Sequence, residues 1–214
     1  QGLLVSNEII SNRAKILAQN VERMGITNCV VCNETPERIA RFFPAFFDRI
    51  VVDAPCSGEG MFRKDETAVR EWSPEHVTMC AERQLSILEQ AAQTLKPGGV
   101  LVYSTCTFAP AENEGVISIF LDSHPDFMIE KTLQNEAFSS GQPGWIMHPA
   151  KGIEDTIRIL PDKAKGEGHY IARLRKQGTL YQEETLPGKG MKKEQEVFLK
   201  EETGVVENWF STHK

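Results

Sequence analysis

The chain has 214 residues, 40% of them hydrophobic and 25% charged, which suits a globular protein with one main domain and a sizeable core. Its formal charge of −6 excludes a protein that grips nucleic acid over its whole surface, because phosphate binding rests on Lys and Arg; any such contact must be local or come from further segments. Five cysteines, an odd number without the density of a disulfide scaffold, imply free thiols, and residues 1–8 show neither a basic leader nor a long apolar run, so a cytoplasmic protein without a membrane span is expected.

Short apolar runs alternate with segments of helical periodicity, the signature of strand and helix units building a mostly parallel sheet. The run 3–5 ends in Ser6-Asn7-Glu8, and residues 11–24 then read as a helix stopped by Gly25. A second run covers 29–32. The third, 49–52, is apolar after its first residue and suits a central strand covered on both faces, with Asp53 at its C-terminal end. Ser73-Pro74 is a helix start, Ser as N-cap and Pro in the first helical position, and Leu85, Leu88, Ala92 and Leu95 mark one face. Lys96-Pro97-Gly98-Gly99 stops that helix. Residues 100–103 form another buried strand leading into Ser104-Thr105-Cys106, and 111–121 read as the following helix. Residues 156–160 and 170–174 look like an antiparallel hairpin at the sheet edge.

In open α/β sheets, ligands bind beyond the C-terminal ends of the strands. Four such ends carry polar groups: Glu8; Asn33-Glu34; Asp53-Ala54-Pro55-Cys56; and Thr105-Cys106. The segment DAPCSGEG at 53–60 sets an acid and a thiol on one turn, with glycines that permit close approach, and STCTF at 104–108 adds a second thiol. If the two strands are neighbours, both thiols and the acid face one crevice. That set suits methylation at carbon 5 of cytosine, where a thiolate must first add to carbon 6 and a carboxyl group must stabilise charge developing at N3. A second cysteine could assist release of the first. Which thiol plays which part is left open by spacing alone.

The motifs DAPCSGEGMFRKD at 53–65, WSP at 72–74, LKPGGVLVYSTCTF at 95–108, ENE at 112–114 and IARLRK at 171–176 resemble the Nol/Nop/Sun group of RNA cytosine-5 methyltransferases, with most similarity to the bacterial enzymes that modify 16S ribosomal RNA. The resemblance implies a Rossmann-like methyltransferase fold, S-adenosylmethionine as cofactor, and an unpaired or flipped cytosine in ribosomal RNA as substrate. It implies that Cys106 is the nucleophile and that Cys56 assists product release. It further implies that Glu8 holds the cofactor ribose hydroxyls, that Asn33 or Glu34 lies near the adenine, and that Asp53, with Pro55 beside it, sits between cofactor and target base. For Glu8 there is an independent reason, since an acid ending the second strand of a dinucleotide-type fold accepts from ribose hydroxyls.

The family carries a Gly-rich cofactor loop after its first strand, whereas this sequence opens where the second strand is expected. The expected organisation is a catalytic domain over 1–176, incomplete at its N-terminus, a linker at 177–193 and the start of an RNA-binding-type extension at 194–214. Arg63 and Lys64 are placed to touch RNA phosphates. Cys29 and Cys32 have CxxC spacing but no second pair at zinc-site distance, and the five His are scattered, so no metal is expected; a monomer is. Two other readings remain: a non-catalytic RNA-binding scaffold on the same fold, and an amino-methyltransferase. The latter needs Pro and an aromatic where Ala54 and Cys56 stand.

Overall fold

The computed structural model describes residues 2–132 and 135–180. Residues 181–214, which hold most of the expected linker and all of the expected C-terminal extension, lie outside them. Strands β1 (Leu4–Asn7) and β2 (Cys29–Cys32) form a parallel pair, joined by helix α1 (Ser11–Arg23). Gly25 ends α1 with φ at +66°, the left-handed conformation that a helix stop favours. Helix α2 (Pro36–Phe42) follows, its N-terminus capped by the Thr35 side chain.

A six-stranded sheet holds the core. Strand β3 (Phe47–Asp53) runs parallel to β4 (Leu95–Thr105), and the connection between them carries helices α3 (Glu66–Glu71) and α4 (Pro74–Thr94). The Ser73 hydroxyl accepts from the His76 backbone N–H at 3.1 Å, which is the N-cap that Ser73-Pro74 announces. After β4 comes a π-helical turn (Ala111–Gly115) that continues directly into α5 (Val116–Ser123). On the far side of β4 the sheet turns antiparallel: β8 (His169–Lys176) pairs with β4, β5 (Phe127–Ile129) and β7 (Ile157–Ile159), and β6 (Phe138–Ser140) pairs with β7. The order is β3-β4-β8-β7-β6, so the fold is α/β with an antiparallel side reached through the β7–β8 hairpin.

Leu101, Tyr103, Ala172 and Leu174 of the sheet pack with Leu88, Ala92, Val116, Ile117 and Phe120 of α4 and α5. One expectation is corrected here. Residues 49–52 do not form a strand covered on both faces: Val51 is 73% exposed, and β3 pairs with β4 alone among the described residues. The apolar run reflects burial of Val52 on one face, while Val51 points the other way, where no described element packs on it. No ladder joins β1–β2 to the larger sheet among the described residues.

Candidate active site

Parallel register places Asp53 opposite Ser104, so the C-terminal ends of β3 and β4 coincide. The Ala54 N–H donates to the Ser104 carbonyl at 2.9 Å and extends that pairing one residue into the loop. Both loops then turn the same way, and the Cys56 and Cys106 sulfurs come to rest 3.1 Å apart. The expected neighbouring of the two strand ends is therefore met, and it brings the two thiols together.

Tight loop packing makes that approach possible. Gly58 has φ +71°, and Gly60 lies so close to the other loop that a Cβ there would sit 2.6 Å from the Cys106 carbonyl oxygen. The Gly60 N–H donates to that same oxygen at 2.9 Å. Glu59 clamps from the side: one carboxylate oxygen accepts from the Phe108 N–H at 3.0 Å and the other from the Trp72 indole at 3.0 Å. The Ser57 and Thr107 hydroxyls, each one residue beyond a cysteine, share a hydrogen bond of 2.9 Å.

The ENE motif supplies three buried supports from one turn. Glu112 accepts from the Ser57 N–H at 3.0 Å and from the Gln84 amide at 2.8 Å, and Gln84 also donates to the Pro55 carbonyl at 2.9 Å. Asn113 accepts from the Thr105 hydroxyl at 2.6 Å and donates to the Thr107 carbonyl at 3.0 Å, so it brackets Cys106. Glu114 pairs with Arg158, whose guanidinium donates to the Phe108 carbonyl at 3.0 Å and lies over the Trp145 ring. Sequence reading quoted the motif without assigning these jobs, and it passed over Gln84 and Arg158 altogether. Gln84 did carry a signal: it stands at four-residue spacing between Cys80 and Leu88 in the apolar stripe of α4, where an amide requires partners.

The two thiols differ electrostatically. The hydrogen bond from Cys56 brings the Cys106 thiol down from its ordinary value to about 7, against burial and the negative charges of Asp53 and Glu112. Cys56 moves strongly the other way, first through the same hydrogen bond and then through its burial. The contact therefore favours ionisation at Cys106 over Cys56.

At the ends of β1 and β2 the other expected residues also meet. The Asn33 amide donates to the Glu8 carbonyl at 2.7 Å and to the Ile9 carbonyl at 2.9 Å, while Asn7 and Glu34 exchange two hydrogen bonds. The Glu8 carboxylate accepts from the Ile10 N–H at 2.9 Å and pairs with Arg13 at 3.0 Å; that of Glu34 pairs with Arg38 at 2.7 Å. Asp53 and Pro55 are exposed at the end of β3 and in the loop after it. Arg63 and Lys64 both reach the connection between β7 and β8, Arg63 donating to the Gly166 carbonyl and Lys64 pairing with Glu167. Among the described residues no group of three or more His, Cys, Asp and Glu is arranged to hold a metal.

This arrangement agrees with known proteins along nearly its whole described length. The family described as 16S rRNA methyltransferase RsmB/F matches residues 1–175. The chain belongs to the RsmB/F family. Ribosomal RNA small subunit methyltransferase F of Aeromonas salmonicida is 39% identical over 189 residues, covering 88% of this chain and 38% of that protein. The protein of the same name from Vibrio vulnificus is 38% identical over 176 residues, 82% of this chain and 36% of its own. The RsmB/F chain thus spans less than two fifths of the length of these relatives. Among solved structures, a methyltransferase homolog from Pyrococcus horikoshii superposes with a TM-score of 0.70 at 28% identity, over 82% of this chain and 54% of that one. NSun6 from the same organism, solved with SFG, gives 0.67 at 27% identity, over 84% of this chain and 42% of that one. No described helix is long and apolar enough to cross a membrane.

Proposed function

We propose that this chain is the catalytic part of an enzyme that transfers a methyl group from S-adenosylmethionine to carbon 5 of a cytosine in 16S ribosomal RNA. The observation that carries the reading is the pair of sulfurs 3.1 Å apart at the adjoining ends of β3 and β4, a contact that lowers the Cys106 thiol to about 7 and raises Cys56.

Cys106 Sγ adds to carbon 6 of the flipped base, and the electrons of the C5–C6 double bond move into the ring toward N3, beside which Asp53 is placed. S-adenosylmethionine, held there, would supply an electrophilic methyl group to carbon 5 and would leave as the neutral thioether. A base then removes the carbon-5 proton, the double bond re-forms, and the Sγ–C6 bond breaks. Cys56 assists this release by returning its hydrogen bond to the departing Cys106 thiolate. For the cofactor the donor set fits: Glu8 is a carboxylate fixed at a strand end, with lone pairs left for two ribose hydroxyls after Ile10 and Arg13 are served, and Asn33 and Glu34 stand on the adjoining strand end near the adenine. Pro55 and Asp53 complete the proposed cofactor-holding set from the end of β3 and the loop after it. Arg63 and Lys64 hold RNA phosphates at the rim, and residues 1–176 form the catalytic unit.

The test is an adduct assay with the full-length protein, S-adenosylmethionine and 16S RNA containing 5-fluorocytosine, read on a denaturing gel. Fluorine at carbon 5 blocks the last elimination, so a covalent protein–RNA band is expected. It disappears in Cys106→Ser and persists in Cys56→Ser; its formation rate rises with pH through about 7 as Cys106 ionises. The reverse mutant pattern exchanges the cysteine roles. Absence of a band with any cytosine-containing RNA overturns the reading in favour of a scaffold.

A further inference from the structure

Glu112 is fully buried, and among the described residues no cation pairs with it. A carboxyl group in such a place is costly to bury, so the question is what it holds. One oxygen, Oε2, takes both of its donors, the Ser57 N–H and the Gln84 amide. Ser57 is the residue after Cys56; Gln84 also grips the carbonyl of Pro55, the residue before it. The peptide units on both sides of Cys56 are therefore tied to one carboxyl group. Glu112 is itself anchored, since its carbonyl accepts the Tyr103 hydroxyl of β4 at 2.7 Å. Its second oxygen, Oε1, has no partner, nor does the Gln84 carbonyl oxygen. The site thus spends two buried unsatisfied acceptors on keeping this geometry.

We propose that Glu112 and Gln84 are positioning residues that hold the Cys56 thiol against Cys106, and so govern the reactivity of the Cys106 sulfur. The proposal rests on reading Cys106 as the nucleophile. Its physical content is that Glu112 acts on Cys106 by two routes of opposite sign. Through the loop it keeps Cys56 at hydrogen-bonding distance, which favours the Cys106 thiolate. Through its charge it disfavours the thiolate, as Asp53 does. Burial raises the Glu112 carboxyl against the pull of Ser57 and Gln84, and of the influences on Cys106 the Cys56 hydrogen bond is the largest and the Glu112 charge the smallest, so the first route dominates. The titratable groups around this pair are Cys56 and Glu59 of the loop after β3, Asp53 of β3, Tyr103 of β4 and Cys80 of α4.

The experiment measures iodoacetamide alkylation of Cys106 in the full chain as a function of pH, read by peptide mass spectrometry. Neither RNA nor cofactor takes part, so failure of this proposal and failure of the methyltransferase reading are separable. In the unaltered chain the alkylation midpoint is expected near 7. Glu112→Gln keeps an acceptor for Ser57 and Gln84 and removes the charge; its midpoint stays or falls. Glu112→Met and Gln84→Met cut the clamp; their midpoints rise by about one unit, with alkylation at pH 7 slowed ~fivefold, as in a Cys56→Ala reference. Circular dichroism melting establishes that each variant is folded. If Glu112→Met does not fold, the contrast between Glu112→Gln and Gln84→Met decides. Folded Met variants with an unmoved midpoint overturn the proposal, and so does a Glu112→Gln variant that behaves like Gln84→Met.

Discussion

The two groups of strand ends make a contrast. At β3 and β4 the loops are locked by buried side chains: Glu112, Asn113 and Glu114 each reach a different neighbour, and Ser57 and Thr107 are sealed from solvent. At β1 and β2 the corresponding residues are held mainly by Asn side chains bonding to backbone, and the ion pairs of Glu8 and Glu34 lead outward to exposed arginines. The difference follows the chemistry each must do. On the proposed function, two sulfurs that share a proton tolerate little error in distance, whereas a rim that receives a flexible ligand needs acceptors placed on a strand end and little more.

That contrast can be broken first at its buried end. Arg158→Met leaves Glu114 without its partner in the core and frees the Phe108 carbonyl; a loss of about 3–5 kcal/mol in denaturant-measured stability is expected. Gly60→Ala drives a Cβ against the Cys106 carbonyl, with an expected cost of about 1–3 kcal/mol and a fall in adduct formation measured on the same preparation. Ser73→Ala removes the α4 cap and costs about 1 kcal/mol in the melt, while leaving the alkylation midpoint of Cys106 in place, since α4 keeps Gln84 where it was. At the open end the pattern inverts: Glu8→Gln leaves the melting temperature nearly unchanged but lowers cofactor affinity in calorimetry with the full-length protein. The smallest effect is expected of Lys64→Ala, which leaves the melt unchanged and reduces the salt dependence of RNA binding by about one counterion. A thermal penalty for Glu8→Gln as large as that for Gly60→Ala would erase the distinction between the two regions.

Much of the fold was legible because its signals are local. Gly25, Ser73-Pro74 and the apolar run at 29–32 each mark a boundary by their own conformational preference, and the structure has boundaries there; the run expected at 100–103 instead lies inside a strand that begins at Leu95, so Leu95 leaves the helix face and Lys96 to Gly99 belong to the strand through pairing with distant residues. Helices α2 and α3 were missed, being seven and six residues long, too short for periodicity to show. Yet Thr35-Pro36 is the same cap-and-proline signal as Ser73-Pro74, and it was readable. Strands β5 and β6 have three residues each and owe their existence to pairing with β8 and β7, which no local window contains. Exposure of Val51 was unreadable for a related reason: an apolar run reports what a strand tolerates, and its neighbours decide what is covered. The site divides in the same way. Cys56, Cys106 and Asp53 sit in motifs at strand ends, but the bonds from Gln84 to Pro55 and from Arg158 to Phe108 span 29 and 50 residues of chain.

The π-helical turn after β4 closes with the Gly115 N–H donating to the Pro110 carbonyl, five residues back. One residue more than an α-turn is thereby folded into the entrance of α5, and two phases are set by that single insertion. Glu112, Asn113 and Glu114 are consecutive, and all three are completely buried. The same extra residue rotates α5 so that Val116, Ile117 and Phe120 meet the core. Deleting one residue from this turn would therefore misalign the loop supports and the hydrophobic face together, so that this short stretch acts as a common timing gear for site and scaffold.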